Sequence, residues 1–269
     1  MNRLIVIFLM CSTLSCGASQ FGRGAADTLF PVSDENKLGA ELSAEIEKEL
    51  KLSTDAQLNA YVASLGTRTV AAAKGTVPAG IKFTFKVVDD PNTVNAFAMP
   101  GGYIYVYTGL LKKSENEAEV MAVMAHEVAH VTRRHIAQRL VATHGLQSLL
   151  SVALGENPGL VSEIATGVIA NGYLLKHSRD AETDADAVGI EYTVDANYSP
   201  QGYVTFFDKL AADAAAVPAF LSTHPDPKGR ANAARAYIKT HKNLPEKLTS
   251  SEYTAVSYTH LTLPTTPYV

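Results

Sequence analysis

The chain has 269 residues, 46% of them hydrophobic, no tryptophan and a formal net charge of −4. Such a length suits one large domain or two small ones. With no basic block and no basic helix face, nothing points to nucleic acid as a partner.

The chain opens with MNRLIVIFLMCSTLSCG. Arg3 supplies a positive start, Leu4 to Met10 form an apolar core, and small residues with Cys16 follow. This is the pattern of a secretory signal, too short to span a bilayer. The segment TLSC resembles a bacterial lipobox, which would make Cys16 an acylated N-terminus and anchor the protein to the outer membrane by lipid. Thr13 stands where leucine is more typical, and ordinary cleavage nearby is the alternative. The only cysteines, Cys11 and Cys16, fall in this segment, so the mature protein has no internal disulfide. Its stability must come from a packed core, a bound metal, or both.

Residues 17–249 read as one domain after a signal at 1–16. Residues 34–50 carry Leu38, Leu42, Ile46 and Leu50 on one helical stripe. A second helix is expected from Asp55 to about Ala73, broken by KGTVPAG. IKFTFKVV alternates as a half-buried strand. NAFAMPGGYIYVYTGLL holds a Pro-Gly-Gly turn and a further strand, Tyr103 to Thr108. A long helix follows, from a Ser114 cap to about Thr143, with early acids that suit its N-terminus. The segment HGLQSLLSVALGENPGLVSEIATGVIANGYLL is split by GENPG into two runs too short to span a membrane. A helical hairpin packed on the core is expected there, and a surface dipping into lipid or facing a partner is the alternative. Helices follow in SRDAETDADAVGIEYTVD, after Pro200, and from about Lys228 to Thr240, with LSTHPDPKGR a stiff loop between the last two. Residues 250–269, rich in threonine and proline and without period, look foreign to the domain, non-native or disordered, and His260 is set aside with them. The fold class is α+β, mostly helical, with one small sheet beside the long helix.

The chemistry lies in VMAHEVAHVTRRH, residues 123–135. His126 and His130 enclose a glutamate as HExxH. Four residues apart on a helix is about 40° of rotation, so both imidazoles share one face. Neutral imidazole suits zinc. Glu127 is placed to reach a water beside the metal, as a general base that then returns the proton to the leaving amine. The surrounding valines, alanines and methionine make this a buried helix, in which histidines need partners. On a continuous helix His135 is about 140° from His130 and cannot join the same metal, which leaves it a helix-surface or second-layer residue. The longer motif that does use a third histidine bends at a glycine, where this chain has Arg133.

A catalytic zinc site takes three protein ligands. Glu182 and Asp186 share a helix face among small residues. Glu182 can supply the third ligand, and Asp186 can accept a hydrogen bond from a liganding histidine and fix its tautomer. Glu191 lies on the opposite side of that helix, and Asp184 fits an ordinary solvated acid. His144 and His177 suggest surface places without a role.

HEVAH, SRDAETDAD and STHPDPKGR, with NAFAMPGGYIYVYTGLL ahead of them, together resemble the gluzincin metallopeptidases of family M48 over roughly residues 34–240. That family includes the CAAX prenyl protease, the mitochondrial Oma protease and exported bacterial proteases. The resemblance implies a gluzincin-type domain, one Zn2+ per chain on His126, His130 and Glu182, and endopeptidase activity with Glu127 catalytic. It also brings His224 and Arg230 close to the active site. His224 can stabilise an oxyanion or sit over the metal as a reversible fourth ligand; Arg230, a second positive group, favours the first.

The expected protein is a zinc endopeptidase of the bacterial envelope, periplasmic, cleaving misfolded or unassembled envelope proteins, in contact with outer-membrane assembly machinery. The rival is a metal-stabilised chaperone or assembly factor with minor or latent proteolysis. An extended peptide is expected along Tyr103 to Thr108 by edge-strand pairing, with Tyr103 and Tyr105 in contact and Gly101 and Gly102 allowing close approach.

Overall fold

The computed structural model describes residues 30–171 and 176–261. The signal segment with Cys16 and residues 262–269 lie outside the described residues. Helices α1 (Val32–Ile46) and α2 (Ala56–Ala72) come first, and Asp55 caps α2 by accepting from the backbone of Gln57 and Leu58. Three short strands follow, β1 (Thr84–Val88), β2 (Ala96–Met99) and β3 (Tyr103–Tyr107), then the short helix α3 (Thr108–Lys113). The long helix of the motif begins as α4 (Glu117–Thr132) and continues as α5 (His135–His144). Helices α6 (Leu146–Ala153) and α7 (Pro158–Asn171) form the hairpin. Helix α8 (Arg179–Asp195) carries the acids, and α9 (Gln201–Ala212), α10 (Pro218–Thr223), α11 (Pro227–Thr240) and α12 (Ser251–Val256) follow, with a π-helical turn at Ser257–Leu261 ending the described residues.

Helix α4 is the axis of the molecule. All its residues are buried, the acids included. It packs against α2, α8, α9 and β2. A helix apolar nearly all round must be enclosed, and this one is. Its cap is Asn116, whose side chain accepts from the Glu119 backbone, rather than Ser114.

The expectation of one helix from Ser114 to Thr143 is corrected. Between α4 and α5 the chain turns at Arg134, which holds φ 55°, ψ 29° in the left-handed region. A non-glycine residue there costs on the order of 1 kcal/mol. The buried Arg134 guanidinium donates to Glu35 of α1 at 2.9 Å and to the Phe30 carbonyl at 2.6 Å. Those long-range contacts hold a bend that no glycine or proline announces.

The sheet order is β1-β3-β2. β3 pairs in parallel with β1 (Thr84↔Tyr103 to Val88↔Tyr107) and antiparallel with β2 (Ala96↔Val106 to Met99↔Tyr103). The strand expected to receive substrate is therefore the central one, and both its edges are taken.

The GENPG break gives the expected hairpin. Leu149, Val152, Ile164 and Ala165 are buried, and both helices pack on α1. No described helix is long and apolar enough to cross a membrane. The period-free reading of the tail does not hold for residues 250–261. Ser250 caps α12, Tyr253 and Val256 are buried, and the Tyr253 hydroxyl donates to the Ser114 carbonyl at 2.8 Å. Few apolar positions, well placed against α2, sufficed without a long periodic run.

Candidate metal centre

Three elements converge on one buried point. Helix α4 presents His126 and His130, α8 presents Glu182, and His224 follows α10. Helix α8 gets close to α4 at Gly189, where an added Cβ would lie 2.3 Å from the Tyr203 hydroxyl and 3.1 Å from the His126 backbone nitrogen. The small residues of α8 therefore serve the approach that the site needs.

The facing atoms are His126 Nε2 and His130 Nε2, 2.9 Å apart, with Glu182 Oε1 3.2 Å from His130 Nε2. His224 Nδ1 is 3.3 Å from His126 Nε2 and 3.2 Å from Glu182 Oε2. One ligand atom from each of the four residues falls within 4.8 Å of the others, and all four residues are buried. Glu182 Oε1, Glu127 Oε1 and His224 Nε2 are buried with no hydrogen-bond partner. Buried lone pairs left facing one another are costly unless a cation joins them. Three imidazoles and a carboxylate are a zinc donor set, so the residues fit one Zn2+. Glu127 Oε1 lies 3.4 Å from His224 Nε2, at the border of the cluster rather than in it.

Behind His126 stands a charged support. Asp186 Oδ1 is 2.9 Å from His126 Nδ1. Arg230 grips the same carboxylate with two bonds, Nε at 2.8 Å and a terminal nitrogen at 2.6 Å. Its other terminal nitrogen is 3.3 Å from Glu182 Oε2, and its guanidinium lies 4.1 Å over the Phe207 ring. Burial would raise the Asp186 pKa, and Arg230 and His126 outweigh it, holding the carboxylate below its usual range. Burial and Arg230 push the His126 imidazole down, but Glu182 and Asp186 prevail and hold it up at about 9.

His130 is supported differently. Its Nδ1 lies 3.0 Å from His135 Nδ1, and His135 Nε2 is 3.2 Å from Asp184, which Arg133 grips with two bonds. His177 stacks on the His130 ring, centroids 3.8 Å apart and planes 18° apart. Burial and the positive charge of His126 push His130 well below the usual histidine range.

Several expectations from sequence need correction at this site. Arg230 is committed to Asp186 and Glu182, which removes the reason for favouring an oxyanion role at His224. Asp184 is a paired acid, not a solvated one. His177, expected at the surface, is buried against a site histidine. His135 does lie outside the cluster, but it touches His130 because the helix is broken. Gly101 (φ 76°) and Gly102 (φ 92°) approach α1 and the Lys82 carbonyl rather than an open groove. Tyr103 lies in the central strand, and Tyr105 is buried with its hydroxyl 2.6 Å from Glu47. None of the four offers a free edge to substrate. Glu191 is exposed, away from the cluster.

Comparison with known proteins gives a consistent picture. The sequence profile of Peptidase family M48 matches residues 56–238. A putative beta-barrel assembly-enhancing protease of Vibrio cholerae is 34% identical over 203 residues, 71% of this chain and 41% of that protein. The beta-barrel assembly-enhancing protease of Escherichia coli is 29% identical over 226 residues, 80% of this chain and 45% of that protein. The mitochondrial metalloendopeptidase OMA1 of Schizosaccharomyces pombe is 33% identical over 153 residues, 56% of this chain and 45% of that protein. The chain thus spans under half the length of these relatives.

Proposed function

The chain belongs to Peptidase family M48, and on that footing we propose that it is a zinc endopeptidase of the bacterial envelope that cleaves misfolded or unassembled envelope proteins. The observation that carries this is the buried cluster of His126, His130, Glu182 and His224 with Glu127 at its border. His126, His130 and Glu182 would hold the metal. Bound zinc supplies Lewis acidity to the scissile carbonyl and to water. Glu127, with an unpartnered buried oxygen, takes the proton of the attacking water and delivers it to the leaving amine. Asp186 keeps His126 oriented through its Nδ1, and Arg230 holds the Asp186 carboxylate in place.

The geometry supports His224 as a closing fourth ligand better than as an oxyanion donor. Its Nδ1 lies among the ligand atoms. It follows that His224 must swing away before substrate enters, which restrains the site at rest.

An extended substrate is better served by β2 than by β3. The Tyr107 backbone donates to the Asn95 carbonyl. In an antiparallel ladder hydrogen-bonded pairs alternate, so Ala98 turns its N–H and C=O away from β3. Among the described residues no strand covers that side, and β2 packs on α4. Substrate pairing there would lie beside the metal.

The names of the bacterial relatives join assembly of β-barrels to proteolysis. On that likeness our reading places the chain in the periplasm, in contact with outer-membrane assembly machinery, with a lipid anchor if Cys16 is acylated. The same names also keep alive a holding role with latent cleavage. The mature chain, incubated with casein and with a denatured β-barrel protein, with and without chelator, separates the two. Cleavage should be chelator-sensitive, absent in Glu127→Gln with zinc still near one per chain, and faster at rest in His224→Ala. Chelator-resistant cleavage, or none with zinc bound, would sink the peptidase reading.

A further inference from the structure

We propose that His135 is a positioning residue that fixes the tautomer of His130, passing its hydrogen bond on to Asp184. This rests on the zinc reading above and adds a residue that lies outside the HExxH motif and the ligand cluster.

The argument is one of donors and acceptors. The Asp184 carboxylate, gripped by Arg133 in two bonds, can only accept. At 3.2 Å from it, His135 Nε2 must carry the proton. With one proton per ring, His135 Nδ1 then offers a lone pair. The 3.0 Å contact between the two Nδ1 atoms requires His130 Nδ1 to donate. That leaves a lone pair on His130 Nε2, the atom that faces His126 Nε2 and Glu182 Oε1. The reverse tautomer would put a proton where a metal must sit. His135 is 5% exposed, so water does not substitute freely for it.

The helix break makes this contact available. Unbroken, the helix would carry His135 about 140° from His130. The left-handed Arg134, anchored on Glu35 and Phe30, returns it. The strained residue is thus directly adjacent to the residue it places.

Glutamine at 135 can imitate the relay, since its amide oxygen accepts and its NH2 donates; leucine can do neither. Zinc affinity, measured by competition with a chromophoric chelator, should fall about 10- to 100-fold in His135→Leu and recover to within about threefold of the parent in His135→Gln. Histidine 15N spectra of the metal-free chain should show His130 protonated at Nδ1 in the parent and the glutamine variant, and a mixture in the leucine variant. Circular dichroism checks that each variant folds. Should leucine not fold, Asp184→Ala, at a partly exposed position, should shift the same spectra and weaken zinc binding. Equal zinc affinity in parent and leucine variants, glutamine no better than leucine, or an unchanged His130 tautomer overturns the relay. A parent that binds no zinc overturns the metal reading instead, and the 15N spectra still decide the relay.

Discussion

His126 and His130 sit one helical turn apart on the same face, yet the protein holds them by opposite means. His126 leans on a buried charge pair, Asp186 and Arg230, both nearly inaccessible. His130 leans on the His135 ring, which reaches a partly buried acid at one remove, and on a second ring stacked against its face. The difference has a simple source. Helices α8, α9 and α11 close over the His126 end, whereas the bend after α4 and the segment before α8 close over the His130 end. A buried charge pair fixes a ligand firmly but is costly to disturb. A relay that ends on an ion pair nearer the surface, Asp184 with Arg133, fixes orientation with less at stake for the fold.

The largest effect should come from the residue both histidines face. Glu182→Ala removes a proposed ligand and a counter-charge that lies within 3.5 Å of His126, His130, His224 and Arg230. Zinc content and hydrolysis should both fall to background. Glu191→Ala, exposed on the same helix, should change neither. If Glu182→Ala kept stoichiometric zinc, the two histidines would not share a centre and the comparison would lose its basis.

A test of intermediate size contrasts the two acids. Asp186→Ala strands Arg230 in the interior, and breaking one side of a buried ion pair costs about 3–5 kcal/mol. Asp184 lies at a partly exposed position beside an Arg133 that is 38% exposed, so Asp184→Ala should cost no more than about 1 kcal/mol. Chemical denaturation of the metal-free chains measures both. Equal losses would mean that the His126 support is not the charged, buried one.

Much of this was legible in the residues, and the misses have physical causes. HExxH, Glu182 and Asp186 could be placed because helical spacing fixes faces, and the acids lie on one long helix with Gly189 at its contact. The bend after Thr132 could not, because VTRRH contains no breaker and the cause is Glu35, nearly a hundred residues away. For that reason Asp184 reads as a solvated acid, and the contact of His135 with His130 is hidden, although its place outside the metal cluster is legible. Strand order was equally hidden. Alternation and turn residues identify β3, but only the parallel pairing with β1 makes it central. His177 carried no local signal, since a lone histidine beside a helix start gives no hint of its stacking partner.

The smallest expected effect concerns that stack. His177 is pushed well below the usual histidine range, by burial first and then by the site histidines around it, so two neutral rings meet face to face. Ring pairs contribute about 0.5–1.5 kcal/mol beyond their buried area. The contact restrains the tilt of His130, while His135 sets where its proton lies. His177→Phe keeps a ring of similar width and should bind zinc within about twofold of the parent. His177→Ala frees the tilt without touching the relay, so affinity should fall by no more than about tenfold with the His130 tautomer unchanged. A loss as deep as that of His135→Leu, or a changed tautomer, would show that the face contact and not the relay holds this ligand. The support of His130 would then be one of packing, and its contrast with the hydrogen-bonded charge pair behind His126 would lie in packing against charge rather than in a relayed proton against charge.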